Sequence, residues 1–185
     1  MLNIHPTLAR TTVLAVLAVA SLSTPLMAEE SSAPALLPGG ASSLSETHGD
    51  WTVGCQVVAR DTASERVCGM SQRQTNAQGQ QVLSVELLRL ANGFEGAIVL
   101  PFGLAVTQPV TLTIDQGETI TASFSTCVPN GCVVPLATDS QTLAAMRSGA
   151  QLVVGAQNVN GQSLELPVSL TGFAAAATRT EALTQ

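Results

Sequence analysis

The chain has 185 residues, and its hydrophobic share of 45% suits one small domain with terminal extensions. It contains no lysine, which excludes enzymes that need a Schiff-base amine or a phosphate-binding P-loop lysine. The 13 acidic residues outnumber the 7 basic ones, so phosphate backbones and anionic lipid surfaces should repel the protein, and no nucleic acid partner is expected.

Residues 1–28 have the organisation of a secretory signal peptide. A short region with Arg10 precedes an apolar stretch over 12–22, and the small residue Ala28 offers a cleavage site. The apolar stretch is about half the ~20 residues that a membrane-spanning helix requires, and no later segment is longer without polar interruption. We therefore predict that the mature protein starts at Glu29, is periplasmic or secreted, and has no transmembrane segment.

Residues 29–49 are predicted to form a flexible linker. They are rich in Ser, Ala, Pro and Gly and have too few large apolar side chains to offset the entropy cost of ordering the backbone. His48, the only histidine after cleavage, falls in this linker and is expected to be solvated. Catalytic sites that need a positioned imidazole are therefore not expected.

Strand signals begin at Trp51. The alternation of apolar and polar residues over 51–55 and 66–70 predicts a hairpin, and 82–90 alternates in the same way before an Asn92-Gly93 turn. Further short apolar runs, several bounded by Pro or Gly, predict strands at 97–100, 104–106, 110–114, 119–124, 151–156 and 163–170.

One short helix is predicted, starting at Asp139 or Ser140, running through Arg147 and ending at Gly149. The alanine-rich residues 174–185 are expected to be a tail of frayed helix or disorder. The predicted fold class is all-β: a small disulfide-bonded, β-sandwich-like domain over 50–173 with one short helix.

The four cysteines carry the clearest chemistry, because an even number in an exported chain usually forms disulfides. Three pairings are possible, and we favour Cys55 with Cys68 and Cys127 with Cys132, each within one hairpin. Between the second pair, Pro129 and Gly131 suit a tight turn that brings the flanking strands within bonding distance. A redox-active pair would need a Cys-X-X-Cys spacing, which the chain does not contain.

Two apolar features have both a structural and a functional interpretation. Trp51 is the only tryptophan; it could stack on a sugar, but a place in the core beside a cystine is favoured. The segment 100–104, Leu-Pro-Phe-Gly-Leu, could be an exposed loop that touches a membrane or a protein, but a buried bend between strands is favoured.

Acidic residues leave one enzymatic alternative open. A pair drawn from Glu86, Glu95, Asp115 and Glu118 could catalyse glycoside hydrolysis if two carboxyl groups met in a cleft. Such clefts are usually lined with aromatic residues, which make up only 3% of this chain.

The order of the signals resembles the invasion-associated locus B family. The resemblance rests on Trp51 to Cys55, the Cys-X-X-X-Gly-Cys loop that ends at Cys132, the Leu-Pro-Phe-Gly segment and the Ser-Leu-X-Gly-Phe sequence that ends at Phe173. It covers about residues 50–173. Where family members often have Gly-Val, this chain has Pro109-Val110, which alters one turn and leaves the cysteines in place.

The resemblance implies a small exported β-rich protein of Gram-negative bacteria, in a family with no established enzymatic activity, and we expect no cofactor or metal. Its partner would be a protein or surface component of the envelope or of a host. We therefore favour a non-enzymatic interaction factor related to adhesion or invasion, with a cell-wall or polysaccharide hydrolase as the alternative.

Overall fold

The computed structural model describes residues 37–60 and 63–185. The predicted signal peptide and the first part of the predicted linker lie outside these residues. Eleven strands and two α-helices follow a single 3-10 turn at Pro38–Gly40. They are β1 Ser43–His48, β2 Trp51–Arg60, β3 Ala63–Thr75, β4 Gln81–Leu90, β5 Gly93–Leu100, β6 Val110–Ile114, β7 Thr119–Ala122, β8 Thr126–Val128, β9 Gly131–Thr138, α1 Ser140–Ser148, β10 Gln151–Gln157, β11 Ser163–Ser169 and α2 Phe173–Leu183.

The strands form two antiparallel sheets. The larger sheet has seven strands in the order β1-β2-β3-β4-β5-β9-β8, and the smaller has four in the order β11-β10-β6-β7. Their apolar faces contribute to one common core. The prediction of a β-rich, sandwich-like domain is confirmed, whereas the number of helices is two rather than one.

The alternating pattern in β2 explains how the core is built. Trp51, Val53 and Cys55 are buried, while the intervening Thr52 and Gly54 face outward. The Trp51 ring meets the Phe173 ring of α2 edge-on, with centroids 5.0 Å apart, and its Nε1 donates a hydrogen bond to the Ser169 carbonyl. The structure therefore gives Trp51 a core position, with its polar nitrogen satisfied.

The prediction of a flexible linker over 29–49 is wrong for its last part. Residues 43–48 form β1, which pairs with β2 from Ser43↔Gln56 to His48↔Trp51. Leu37, before the strand, is also buried. The segment is ordered because its alternate side chains, Leu44 and Glu46, pack toward α2 and the core while its polar face meets solvent.

The expectation of a frayed or disordered tail over 174–185 is also wrong. Phe173 starts α2, which covers the inner face of β2 and β3 and buries Ala176, Ala177 and Leu183. The alanines allow the helix to approach the sheet closely, and Thr180 avoids an unpaired buried hydroxyl by donating to the Ala176 carbonyl. The C-terminal residues therefore belong to the domain.

The predicted helix α1 is present, whereas the predicted strand at 104–106 is not. Helix α1 begins after Asp139, whose carboxylate caps the helix by accepting from Thr142 N at 2.7 Å, and Gly149 ends it. The predicted strand at 104–106 is wrong, because only Leu104 makes an isolated bridge, to Asn158. The chain turns directly after Leu104, where Gln108 N donates a 2.8 Å hydrogen bond to the Ala105 carbonyl.

Candidate functional site

Both disulfides join residues that face each other across antiparallel strands. Cys55 is bonded to Cys68 within the β2–β3 hairpin, with the Cα atoms 4.1 Å apart. This bond is buried, and the carbonyl oxygen of Leu183 in α2 lies 3.8 Å from Cys68 Sγ. It therefore fixes the part of the sheet on which α2 packs.

The second disulfide joins Cys127 to Cys132 across the β8–β9 hairpin, with a Cα separation of 3.9 Å. Pro129 and Asn130 form the turn between the paired residues Val128 and Gly131. Gly131 has a positive φ of 142°, and a Cβ atom there would collide with the Leu100 carbonyl oxygen of β5. Glycine thus allows the hairpin to lie against the neighbouring strand.

The four candidate carboxylates do not share a cleft. Asp115 accepts hydrogen bonds from Ala150 N and Gln151 N, which ties the turn after β6 to the start of β10, and Glu118 is exposed in the same turn. Glu86 and Glu95 lie on the open outer face of the larger sheet, on neighbouring strands. The structure therefore places these acids at two separate surfaces.

A charged cluster joins β1 to α2. Arg179 donates two hydrogen bonds of 2.7 Å to the carboxylate of Glu46, and these bonds hold the pKa of Glu46 below its usual value. The Nε2 atom of His48 lies 3.5 Å from Glu46 Oε2, and its side chain is only about a quarter exposed. The expectation of a solvated His48 is wrong, because the strand orients this side chain toward the helix.

A groove lies on the outer face of the larger sheet. One row of facing residues crosses four strands there: Ser45 of β1, Gly54 of β2, Gly69 of β3 and Leu88 of β4. Because the two central positions have no side chain, the sheet surface is depressed between the flanking strands. The resulting groove has a volume of about 590 Å³.

The groove is bordered by hydroxyl, amide and apolar groups. Its outward-facing lining includes Ser43, Ser45, Gln56, Val58, Val67, Ser71, Glu86 and Leu88. Glu86 is the only charged residue in that lining. A ligand that fits it therefore presents apolar side chains together with hydrogen-bonding groups, as a polypeptide segment does.

The two groove glycines differ in the space around them. A Cβ atom at Gly69 would lie 2.7 Å from the Leu87 carbonyl oxygen and 2.8 Å from Leu88 Cδ2, so this position requires glycine. A Cβ atom at Gly54 would find no described heavy atom within 4 Å, and the backbone there is that of an ordinary strand. The packing of the domain therefore does not require glycine at position 54, and the space above its Cα atom is open.

Sequence analysis did not identify this groove. Its signal is a glycine at an outward position next to each cysteine of the first pair, in Gly54-Cys55 and Cys68-Gly69. If the two cysteines face each other across an antiparallel hairpin, the glycines must also face each other. The register of the disulfide thus contains the information needed to place both glycines side by side.

Within residues 37–60 and 63–185, no helix is long and apolar enough to span a bilayer. In the same part of the chain, no three His, Cys, Asp or Glu side chains are placed to hold a metal ion together.

Comparisons with known proteins identify the family. The family model described as "Invasion associated locus B (IalB) protein" matches residues 51–181. An invasion protein B homolog of Brucella abortus (strain 2308) is 42% identical over 154 residues, which cover 82% of this chain and 87% of the relative. Invasion protein B of Bartonella bacilliformis is 37% identical over 120 residues, covering 64% of this chain and 62% of the relative.

A solved structure agrees with these matches. The crystal structure of invasion associated protein B from Bartonella henselae aligns with a TM-score of 0.70 and 34% identity, covering 76% of this chain and 96% of that one. The family model spans most of the described domain, from the first strand of the core hairpin into α2. The chain therefore belongs to the invasion-associated locus B family.

Proposed function

We propose that this protein is exported to the cell envelope and acts by binding another protein in the groove around Gly54, without catalysing a reaction. The occupant is an extended segment of an envelope or host protein that presents small apolar side chains and no net negative charge. The relatives named invasion protein B support a role without catalysis, because their names refer to a process rather than to a reaction.

Export is supported by cysteine chemistry. Both cystines join paired strands and leave no free thiol among the described residues, as is typical of proteins that fold in an oxidising compartment. The signal-like residues 1–28 supply the route. We expect mass spectrometry of the exported protein to show a mature chain that starts at Glu29.

The observation that carries the binding proposal is the glycine pair. Two facing glycines in adjacent strands weaken a sheet, because each loses much backbone freedom on folding and offers no side chain for packing. Close packing explains glycine at position 69 but not at position 54. An external segment that must approach the sheet backbone closely at position 54 explains the second glycine.

The experiment fills the groove without disturbing the fold. We expect Gly54→Val to keep or raise the stability of the domain, since valine favours strands and meets open space, while it abolishes capture of the partner. The matched control is Ala137→Val, which adds bulk on the same outer face but on β9, outside the groove.

Partner capture is measured by crosslinking intact envelopes and purifying the tagged protein. A protein that is recovered with wild type and Ala137→Val but not with Gly54→Val supports the proposal. Equal recovery with all three chains contradicts it. A hydrolytic activity that is lost in Glu86→Gln, the acid that lines the groove, would instead favour the polysaccharide hydrolase.

A further inference from the structure

Four loops gather at one end of the domain. They consist of residues 76–80, 101–109, 129–130 and 158–162, and we call them the loop end. Residues of the first three, together with Arg73 of β3 and the first two residues of β4, surround one shallow depression of about 730 Å³. The fourth joins them because Val159 N donates a 3.0 Å hydrogen bond to the Gly103 carbonyl and Asn158 bridges to Leu104.

The loop end carries no charge. None of its residues is Asp, Glu, Lys, Arg or His, although the whole chain has a net charge of −6. The uncharged runs extend into the adjoining strands, over 74–85, 96–114, 119–138 and 148–164. The acidic residues thus lie elsewhere, so the four loops can approach an apolar environment without burying a charge of their own.

Apolar side chains project from two neighbouring loops at this end. Phe102 is 61% exposed and Val159 is 69% exposed. The sequence favoured a buried bend at 100–104, and this is wrong for Phe102, because Leu100 and Leu104 turn inward and leave the residue between them outside. Exposed apolar side chains on neighbouring loops mark an interaction surface when they form one contiguous patch.

Two of the four loops, 76–80 and 158–162, satisfy much of their backbone with their own side chains. Asn158 Oδ1 accepts from the backbone N–H groups of Asn160 and Gln162, and Asn158 Nδ2 donates to Gln162 Oε1. The turn at Asn76–Gln80 has the same arrangement, with Asn76 in the role of Asn158. These two loops can therefore enter a medium of low polarity without leaving those N–H donors unpaired, as a lipid surface requires.

We propose that the loop end docks on a lipid bilayer whose headgroups have no net charge, with Phe102 and Val159 entering the interfacial region. An uncharged end matches a zwitterionic surface, whereas the acidic body is repelled by an anionic one. The one charged residue that lines the depression, Arg73 of β3, lies outside the four loops, and its guanidinium is 3.9 Å from the carboxylate of Glu86. The proposal uses a surface separate from the groove at Gly54.

The test is flotation of the purified mature protein with vesicles. Wild type should bind vesicles of phosphatidylcholine, with little dependence on salt, and binding should weaken when phosphatidylglycerol is added. Phe102→Ser and Val159→Ser should each weaken binding by about tenfold, because each removes one apolar side chain from the interface. The matched control is Leu90→Ser, which removes an apolar side chain that is 46% exposed at the end of β4, outside the loop end.

Several outcomes would overturn the proposal. These are absence of wild-type binding to phosphatidylcholine, a preference for the anionic vesicles, or an equal loss with Leu90→Ser. A dimer that forms without lipid and is abolished by Phe102→Ser would assign the loop end to a second copy of the chain. Circular dichroism checks that the variants fold. Gly54→Val should float like wild type, so the two proposals fail independently.

Discussion

Replacing Phe173 by alanine tests whether the C-terminal helix is an integral part of the domain. Phe173 is fully buried, and its ring packs edge-on against Trp51. Replacing a buried phenylalanine by alanine typically lowers the free energy of unfolding by about 3–5 kcal/mol. A contact between two aromatic rings contributes ~0.5–1.5 kcal/mol at such sites. Since small domains are stable by only about 5–15 kcal/mol, we expect Phe173→Ala to remove a large part of the total.

The assay uses chemical denaturation followed by fluorescence. Trp51 is the only tryptophan and contacts the substituted ring, so its emission reports the packing of α2 directly. We expect a lower denaturation midpoint and a red-shifted native emission for Phe173→Ala. The control, Ala175→Ser, lies on the exposed side of the same helix and should differ little from wild type. If Phe173→Ala were as stable as this control, residues 174–185 would be a tail, and our account of the helix would be refuted.

Three further predictions concern bonds and charge. When a mild reductant is added together with an alkylating mass tag, the bond between Cys127 and Cys132 should be reduced first, because Cys127 is exposed. The other disulfide is buried beneath α2. Reduction of both bonds at the same time would contradict this. Replacing Cys55 and Cys68 together by serine should lower the free energy of unfolding by about 3 kcal/mol, measured by urea titration. Wild type should have a higher free energy of unfolding than Glu46→Gln at neutral pH. This difference should decline as the pH falls below about 4.5, because folding lowers the pKa of Glu46 and the ion pair is lost when the carboxylate is protonated. A difference that stays the same in acid would contradict this.

Local periodicity was sufficient to predict most of the larger sheet. The alternation of buried and outward residues in β2 and β4 is visible in the sequence, and the pairing of Cys55 with Cys68 sets the register of the first hairpin. The cap of α1 at Asp139 is likewise a local signal. These features depend on neighbours in the chain, so the sequence carries them directly.

The terminal elements depend on distant partners and were not predictable in this way. β1 contains a single large apolar residue, Leu44, and its Glu46 is held by Arg179 from the opposite end of the chain. α2 begins after Gly172, which provides no side-chain cap, and its alanines become core residues only when the sheet covers them. The composition of these two terminal segments is therefore typical of a linker and of a tail, although both are ordered in the structure.

The same reasoning applies to the candidate site. Exposure of Phe102 follows from where the chain bends between two buried leucines, and no local pattern distinguishes this from a buried bend. The groove at Gly54 was within reach of the sequence, because it follows from the disulfide register. The groove is also lined by Ser45 on β1, however, and the sequence did not predict this strand.

The most direct test of the binding proposal is site-specific photocrosslinking in living cells. A photoreactive amino acid is placed at Gln56, which lines the groove, or at Gln157, an exposed position at the end of β10 in the other sheet. We predict a discrete protein adduct from the Gln56 position, none from Gln157, and loss of the adduct when Gly54→Val is added. Adducts of equal yield from both positions, or an adduct that survives Gly54→Val, would contradict the claim that the groove is the binding site.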